Sequence, residues 1–314
     1  MKLHGALSHM RRLLLMVTLL QLGIGLSWAA PPGSPWGADY FPNVPLVTQD
    51  GKTVHFYDDL IKDKVVAINF IYTACGDTCP MQTANLRQVY KLLADRMGRD
   101  IFFYSISIDP QHDTPGALKE YAERFKIGSD SGWSFLTGSK ADTMLLRKSL
   151  GLFRDDAEAD KLSEHNTSFL IGNERSGQWI KRSPFDEPKV LAWLLGRSMG
   201  HGKPNSTSAM TSYASAKEIP KLGRGEDLFR SRCDSCHSLG AEEGLGPGLQ
   251  GVTERRDRAW LARWLKTPDQ MLAENDPIAS ELFNRYQKLP MPNLRLSDSE
   301  VEALIAYMAG SPVR

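Results

Sequence analysis

The 314-residue chain holds four cysteines, in two pairs of different spacing. Cys233 and Cys236 stand in "CDSCH", with His237 directly after the second. This C-x-x-C-H pattern is that of covalent haem attachment. Two thiols about one helical turn apart can add to the two vinyl groups of one porphyrin, and the next residue, His237, is then aimed at the iron. Cys75 and Cys79 stand in "TACGDTCP", one residue wider than the thioredoxin-like C-x-x-C redox motif. The wider gap suits two sulfurs gripping one ion, and soft thiolates select Cu(I), zinc or iron–sulfur clusters. A disulfide between Cys75 and Cys79 closes so small a ring that it adds little stability, and a strained, easily reduced bond has a redox use. The spacing therefore leaves both a metal site and a catalytic dithiol, Cys75 with Cys79, open.

Cys75 follows the apolar run "VVAINFI" at the turn after a strand, and Cys79 begins a helical pattern that opens with Pro80. A helix N-terminus stabilises thiolate, so Cys79 is expected to be a better nucleophile or ligand than a free cysteine. An imidazole added to the two sulfurs would complete a three-coordinate copper site. Beyond the first thirty residues the histidines other than His237 are His55, His112, His165 and His201. His55 falls in a strand, His112 in the loop after "SISIDP" and His201 in a polar stretch. His165 stands in "SEHNTSFLI", immediately before an apolar strand, and is the candidate third ligand.

Elements that could position these residues alternate along the chain. Over 36–197 the strands "TVHFY", "VVAINFI", "IFFYSISI", "WSFL", "TSFLIG" and "QWIKR" are interleaved with helical patterns such as "PMQTANLRQVYKLLADRM" and "TPGALKEYAERF". In the second of these helices Thr114 is the expected cap and Pro115 lies in the first turn. Such an order predicts an α/β unit with a mainly parallel central sheet and flanking helices. Residues 198–220 are small, polar and aperiodic, the composition of a flexible linker. From 221 to 314 the pattern is all-α. A net charge of +1 argues against a nucleic-acid surface. Residues 1–29 have the basic start, apolar core and small-residue end of an export signal, with an uncleaved membrane anchor as the alternative. Either way the expected location is outside the cytoplasm, in the bacterial periplasm, where paired thiols oxidise unless kept reduced or occupied.

Residues 221–314 resemble the small class I c-type cytochromes. "GRGEDLFRSRCDSCHSLG" is similar to their first helix and attachment site, "GPGLQGV" to the loop behind the proximal histidine, "WLARWLKTPDQM" to their middle helix, and "LPMPNLRLSDSEVEALIAYM" to their distal methionine and closing helix. The resemblance implies one covalent haem c held by Cys233 and Cys236. His237 would be the proximal iron ligand, with the carbonyl of Pro247 orienting it, and Met291 the distal one. Met271 and Met308 lie on predicted helices and are expected in the core. A histidine–methionine pair leaves no open position at the iron and favours electron transfer.

Residues 36–197 resemble the Sco/SenC family, thioredoxin-like copper proteins of cytochrome c oxidase assembly. The resemblance rests on "DGKTVHFYDDLIKDKVVAINFIYTACGDTCP", "SISIDPQHDTPGALKEYAERF" and the late "HNTSFLI". It implies one copper bound by Cys75, Cys79 and His165. Asp77, Asp109 and Asp113 also match acidic positions of the family, where they are expected to shape the site. Ala74, Gly76 and Thr78 depart from the family's usual histidine, proline and aliphatic residue. They flank the ligands, so affinity or potential is expected to differ while binding is retained. The expectation is an exported copper-binding protein that supports assembly of an oxidase copper centre, with a haem for one-electron transfer. Its partners would be the oxidase subunit carrying that centre and other exported redox or copper proteins. A haem-coupled thiol–disulfide oxidoreductase, which would make the chain an enzyme, and an electron carrier with a Sco-like docking module are the alternatives.

Overall fold

In a computed structural model of the chain, residues 36–153, 162, 166–199 and 222–310 are described. Strands β1 (Pro45–Thr48) and β2 (Thr53–His55) pair as a hairpin. The sequence suggests that β2 runs on through Phe56 and Tyr57, but the chain coils there into a short wide helical turn, α1 (Phe56–Ile61). Side chains capture the backbone of that turn. Asn43 Oδ1 accepts from the N–H groups of Tyr57 and Asp58 at 3.0 and 3.1 Å, and Asp59 accepts from that of His55 at 2.7 Å.

Strand β3 (Val65–Ile71) is buried along its whole length and leads into α2 (Thr78–Leu92). Then come β4 (Ile101–Ser107), α3 (Pro115–Arg124), β5 (Trp133–Thr137), α4 (Lys140–Ser149), β6 (Phe169–Asn173), β7 (Gln178–Arg182) and α5 (Pro188–Trp193), whose last turn continues over Leu194–Ser198. Thr114 caps α3 as expected, accepting from the Ala117 N–H at 3.2 Å.

The strands form one sheet in the order β2-β1-β5-β4-β3-β6-β7. Its centre is parallel, β3 with β4 and β4 with β5, because helical crossovers join those strands. The outer pairings are antiparallel, including the hairpin of β6 and β7. The sheet is therefore mixed, and the mainly parallel character expected of it is confined to the pairings among β3, β4 and β5. Alternate residues feed two cores. Val65, Ala67 and Ile71 face α2, α3 and α5, whereas Val66, Ile68 and Phe70 face α1 and α4. Burial of both faces explains why β3 reads as a continuous apolar run. Met199 still packs in the first of these cores and its carbonyl accepts from Asn173, so the packed unit extends past the boundary expected at 197.

The C-terminal region is helical among its described residues: α6 (Arg224–Arg232), α7 (Val252–Arg255), α8 (Arg258–Lys266), α9 (Pro268–Ala273), α10 (Pro277–Arg285) and α11 (Asp298–Gly310). The stretch "WLARWLKTPDQM", read as one helix in sequence, is two. Pro268 has no N–H to continue α8 and pushes Thr267 out of helical geometry, to φ −141° and ψ 55°. Helices α6 and α11 touch at Gly225, where a Cβ would lie 2.2 Å from the Ala303 carbonyl oxygen. No helix among the described residues is long and apolar enough to cross a membrane. The expected export segment at 1–29 lies outside the described residues, as does the linker from 200 to its end at 220.

Candidate functional site

Strand β3 ends at Ile71, and Tyr72 to Asp77 form the turn that carries Cys75 into the N-terminus of α2. Asp113 fixes this turn from the neighbouring strand's loop. Fully buried, it accepts from the Thr73 N–H at 3.2 Å, from the Thr73 hydroxyl at 2.5 Å and from the Ser107 hydroxyl at 2.5 Å. Three donors on one carboxylate satisfy a group that would otherwise be costly to bury. Asp113→Ala leaves all three unpaired and should cost about 2–4 kcal/mol of stability, read as a lower urea midpoint. Asp113→Asn, which keeps an acceptor, should lose less. Asp109 pairs instead with His112 at 2.9 Å, on the exposed side of the loop.

Cys75 and Cys79 sit in direct contact. The Cys79 N–H donates to Cys75 Sγ at 3.3 Å. It is Cys75, not Cys79, that gains from the helix start. The thiol of Cys79 donates to it, and backbone N–H groups of Cys79 and Asp77 add to this against the opposing effect of burial, lowering the Cys75 pKa to about 5. Cys79 is fully buried and shifts upward, because its proton is held against Cys75 and its thiolate would be desolvated. The expectation that Cys79 is the activated sulfur is thus corrected: the helix N-terminus presents its N–H groups to the sulfur before the helix rather than to the one within it. Tyr72, which the sequence reading passed over, hydrogen-bonds Cys75, and its own ionisation is suppressed first by burial and then by that bond. His165 and His201 lie outside the described residues. Thr167 lines the same cleft as Cys75, and a Cβ at Gly76 would meet nothing within 4 Å, so the cleft is open there. Among the described residues no three His, Cys, Asp or Glu cluster as a metal site. Two adjacent soft sulfurs, one of them a ready thiolate, fit a soft ion as a pair of ligands.

The second cleft, lined mostly by apolar side chains, brings together Cys233, Cys236, His237, Pro247 and Met291. His237 Nδ1 lies 2.9 Å from the Pro247 carbonyl oxygen, which fixes the Nδ1–H tautomer and leaves Nε2 as the lone-pair nitrogen. Burial lowers the pKa of His237, so the imidazole is held neutral, the form that binds iron. The loop lies flat on the ring at Gly246, where a Cβ would fall 2.5 Å from His237 Cε1. Two thiols, a neutral oriented imidazole and a thioether around an apolar cleft fit a haem. Gly246→Ala should push the ring aside and reduce the haem attached per chain, seen as a smaller Soret absorbance at equal protein. An undiminished Soret band would show that the ring has room to give. Met308 also lines this cleft but is 8% exposed on α11, and Met271 is fully buried outside it.

The two centres adjoin one another. A linker of coil predicts domains that meet transiently, but here they pack. Leu245, Leu289 and Cys236 rest on the core beside α2 and α3. Lys126 Nζ donates to the Gly244 carbonyl at 2.9 Å, Gln88 to Asp234 at 3.4 Å, and Arg295 pairs with Asp77 at 3.5 Å. Pro80 and Met81, the residues after Cys79, line a small void of about 30 Å³ together with Cys236, His237 and Met291. The first turn of α2 thus touches both centres.

Residues 37–191 match the SCO1/SenC family and residues 222–311 the cytochrome c family. Among individual proteins, the chain is 28% identical over 147 residues to the SCO1 protein homolog of Bacillus subtilis, an alignment spanning 44% of this chain and 74% of that one. It is 30% identical over 147 residues to a protein of Stutzerimonas stutzeri named for copper binding, covering 46% of this chain and 69% of the relative. Of solved structures, the cytochrome c domain of the pp3183 protein from Pseudomonas putida is 58% identical, covering 27% of this chain and 84% of that domain, with a TM-score of 0.26.

Proposed function

Because the chain belongs to the SCO1/SenC family and joins to it a cytochrome c domain, we propose that it is an exported copper-binding protein that supports assembly of the copper centre of cytochrome c oxidase. In this reading Cys75 and Cys79 hold copper, with His165 completing the set. The name of the Stutzerimonas relative supports the copper. Cys233 and Cys236 would hold the haem, with His237 and Met291 as ligands to its iron, and the group would supply single electrons. The chain's own residues do the rest. Asp113 holds the turn that presents Cys75, the start of α2 stabilises its thiolate, burial keeps His237 neutral and the carbonyl of Pro247 orients it.

One observation carries the joint redox reading: the first turn of α2 carries Cys79 together with Pro80 and Met81, which line a void shared with Cys236, His237 and Met291. The residues that would hold copper and those that would hold haem thus meet at one helical turn, where an electron could pass between the two groups without a second protein. A dithiol–disulfide cycle moves two electrons where the haem moves one, which favours copper over thiol exchange as the haem's counterpart.

Copper binding is tested on the full chain with haem attached. Cu(II) is expected to bind at one equivalent with a sulfur-to-copper charge-transfer band, lost in both Cys75→Ser and Cys79→Ser. His165→Ala should weaken Cu(II) more than Cu(I), since the softer ion depends less on imidazole. If His165→Ala binds both oxidation states as the parent does, the histidine is not a ligand.

A further inference from the structure

The cleft in front of Cys75 is large, about 720 Å³, and its two walls come from different domains. One wall is the turn of Cys75 to Thr78 with Met81 and Asn85. The other belongs to the cytochrome c domain and includes Arg232, Ser235, Asn293 and Arg295. Among the described lining residues Asp77 is the one carboxylate, and Arg295 already pairs with it at 3.5 Å. Both arginines are exposed, and among the described residues Arg232 has no carboxylate within ion-pair distance. Two guanidinium groups thus stand on the wall facing the Cys75 sulfur, and of the two only Arg295 is paired with a carboxylate among the described residues. The volume of the cleft lies within the range of small-molecule sites, roughly 300–1000 Å³.

We propose that this interdomain cleft binds a small anionic thiol or disulfide compound of about tripeptide size, with Arg232 and Arg295 holding its carboxylates while its sulfur faces Cys75. Guanidinium is the side chain best suited to carboxylates, through paired N–H donors. The site is composite: without the cytochrome c domain the cleft loses both arginines, so that domain selects what reaches the thiol pair. With a disulfide ligand the exchange balances within the site. Cys75 sulfur attacks one ligand sulfur, a new S–S bond forms as the ligand's own breaks, and half of the ligand leaves as a thiolate. Cys79 sulfur then attacks Cys75, releases the second half as a thiolate and gives its proton to solvent. The cysteine pair is oxidised by two electrons and the ligand is reduced by the same two.

This inference rests on the reading that Cys75 is the functional sulfur that lines the cleft and does not require copper. The test uses the full chain, haem attached, reduced and free of copper, so that Cys75 and Cys79 are the free thiols. Alkylation of Cys75 by iodoacetamide is followed by mass spectrometry of the peptide that contains it. Glutathione sulfonate, anionic and unable to exchange thiols, should slow alkylation several-fold, and trilysine should not. The double variant Arg232→Glu with Arg295→Glu should abolish that protection, while its Soret spectrum and its Cu(I) affinity stay those of the parent. A parallel comparison of iodoacetate with iodoacetamide should show the anionic reagent losing ground several-fold in the double variant. Absence of protection in the parent, or equal protection in the double variant, overturns the proposal. Because Cu(I) affinity is measured on the same samples, failure of copper binding is seen separately from failure of the anion site.

Discussion

Full-length protein with its haem reduced, given one equivalent of Cu(II), is expected to reoxidise the haem at a rate independent of protein concentration. The reason is geometric. Pro80 and Met81 follow Cys79 in the first turn of α2 and border the void shared with Cys236, His237 and Met291, so the two centres lie in one packed body. One electron leaves the iron and one reaches the copper, and no second molecule is needed. Cys79→Ser should abolish the reaction, because the copper site loses one of its two sulfurs. Stopped-flow absorbance of the haem bands over a wide range of protein concentration reads the order directly. A rate proportional to concentration means that the haem serves a separate partner and that the fusion only co-localises two activities. The oxidoreductase alternative makes a different demand. Protein carrying the Cys75–Cys79 disulfide and no copper would then reoxidise two reduced haems per disulfide.

Met291→Ala is expected to leave the haem covalently attached while opening its sixth position. Pro290 and Pro292 flank Met291, and their fixed φ angles hold the loop that brings Met291 to the cleft that His237 also lines. Loss of the thioether should convert a low-spin, six-coordinate spectrum to a high-spin or water-ligated one. The potential should fall by a sizeable part of the roughly 0.8 V range that axial ligands span. Met308→Ala is the control, since Met308 lines the same cleft from a core position on α11. It should lower stability and keep the six-coordinate spectrum. If the two variants exchange these behaviours, Met308 is the ligand.

Much of the architecture was legible in the chain because it depends on local rules. The continuous apolar run of the fully buried β3, the Thr114–Pro115 start of α3 and the all-α character after residue 221 are each written in neighbouring residues. The haem cluster was legible for the same reason. "CDSCH" confines three of its groups to five consecutive residues, and proline marks the loops that bring in Pro247 and Met291. Local rules failed where distant groups compete for a backbone. The strand pattern of "TVHFY" gave way after His55 because Asn43 and Asp59 capture N–H groups there, and one predicted middle helix broke because Pro268 cannot donate.

The sequence by itself determined which residue types could do chemistry: two sulfurs at one spacing, two sulfurs and an imidazole at another. Only the tertiary structure decided which sulfur is activated. A helix dipole by itself would favour Cys79, yet the Cys79 N–H at the start of α2 is aimed at Cys75, while the Cys79 side chain is carried into the core. A sulfur's ionisation depends on donors and burial around it in space, which spacing alone does not fix. Only the tertiary structure, too, placed Asp113 beneath Thr73, set Arg232 and Arg295 across the cleft from Cys75, and packed the haem-binding edge against α2. These contacts join residues far apart in the chain, and they follow from apolar surfaces such as those of Leu245 and Leu289 seeking burial. That force has no preferred direction along a sequence, so its outcome is settled only when the chain is folded.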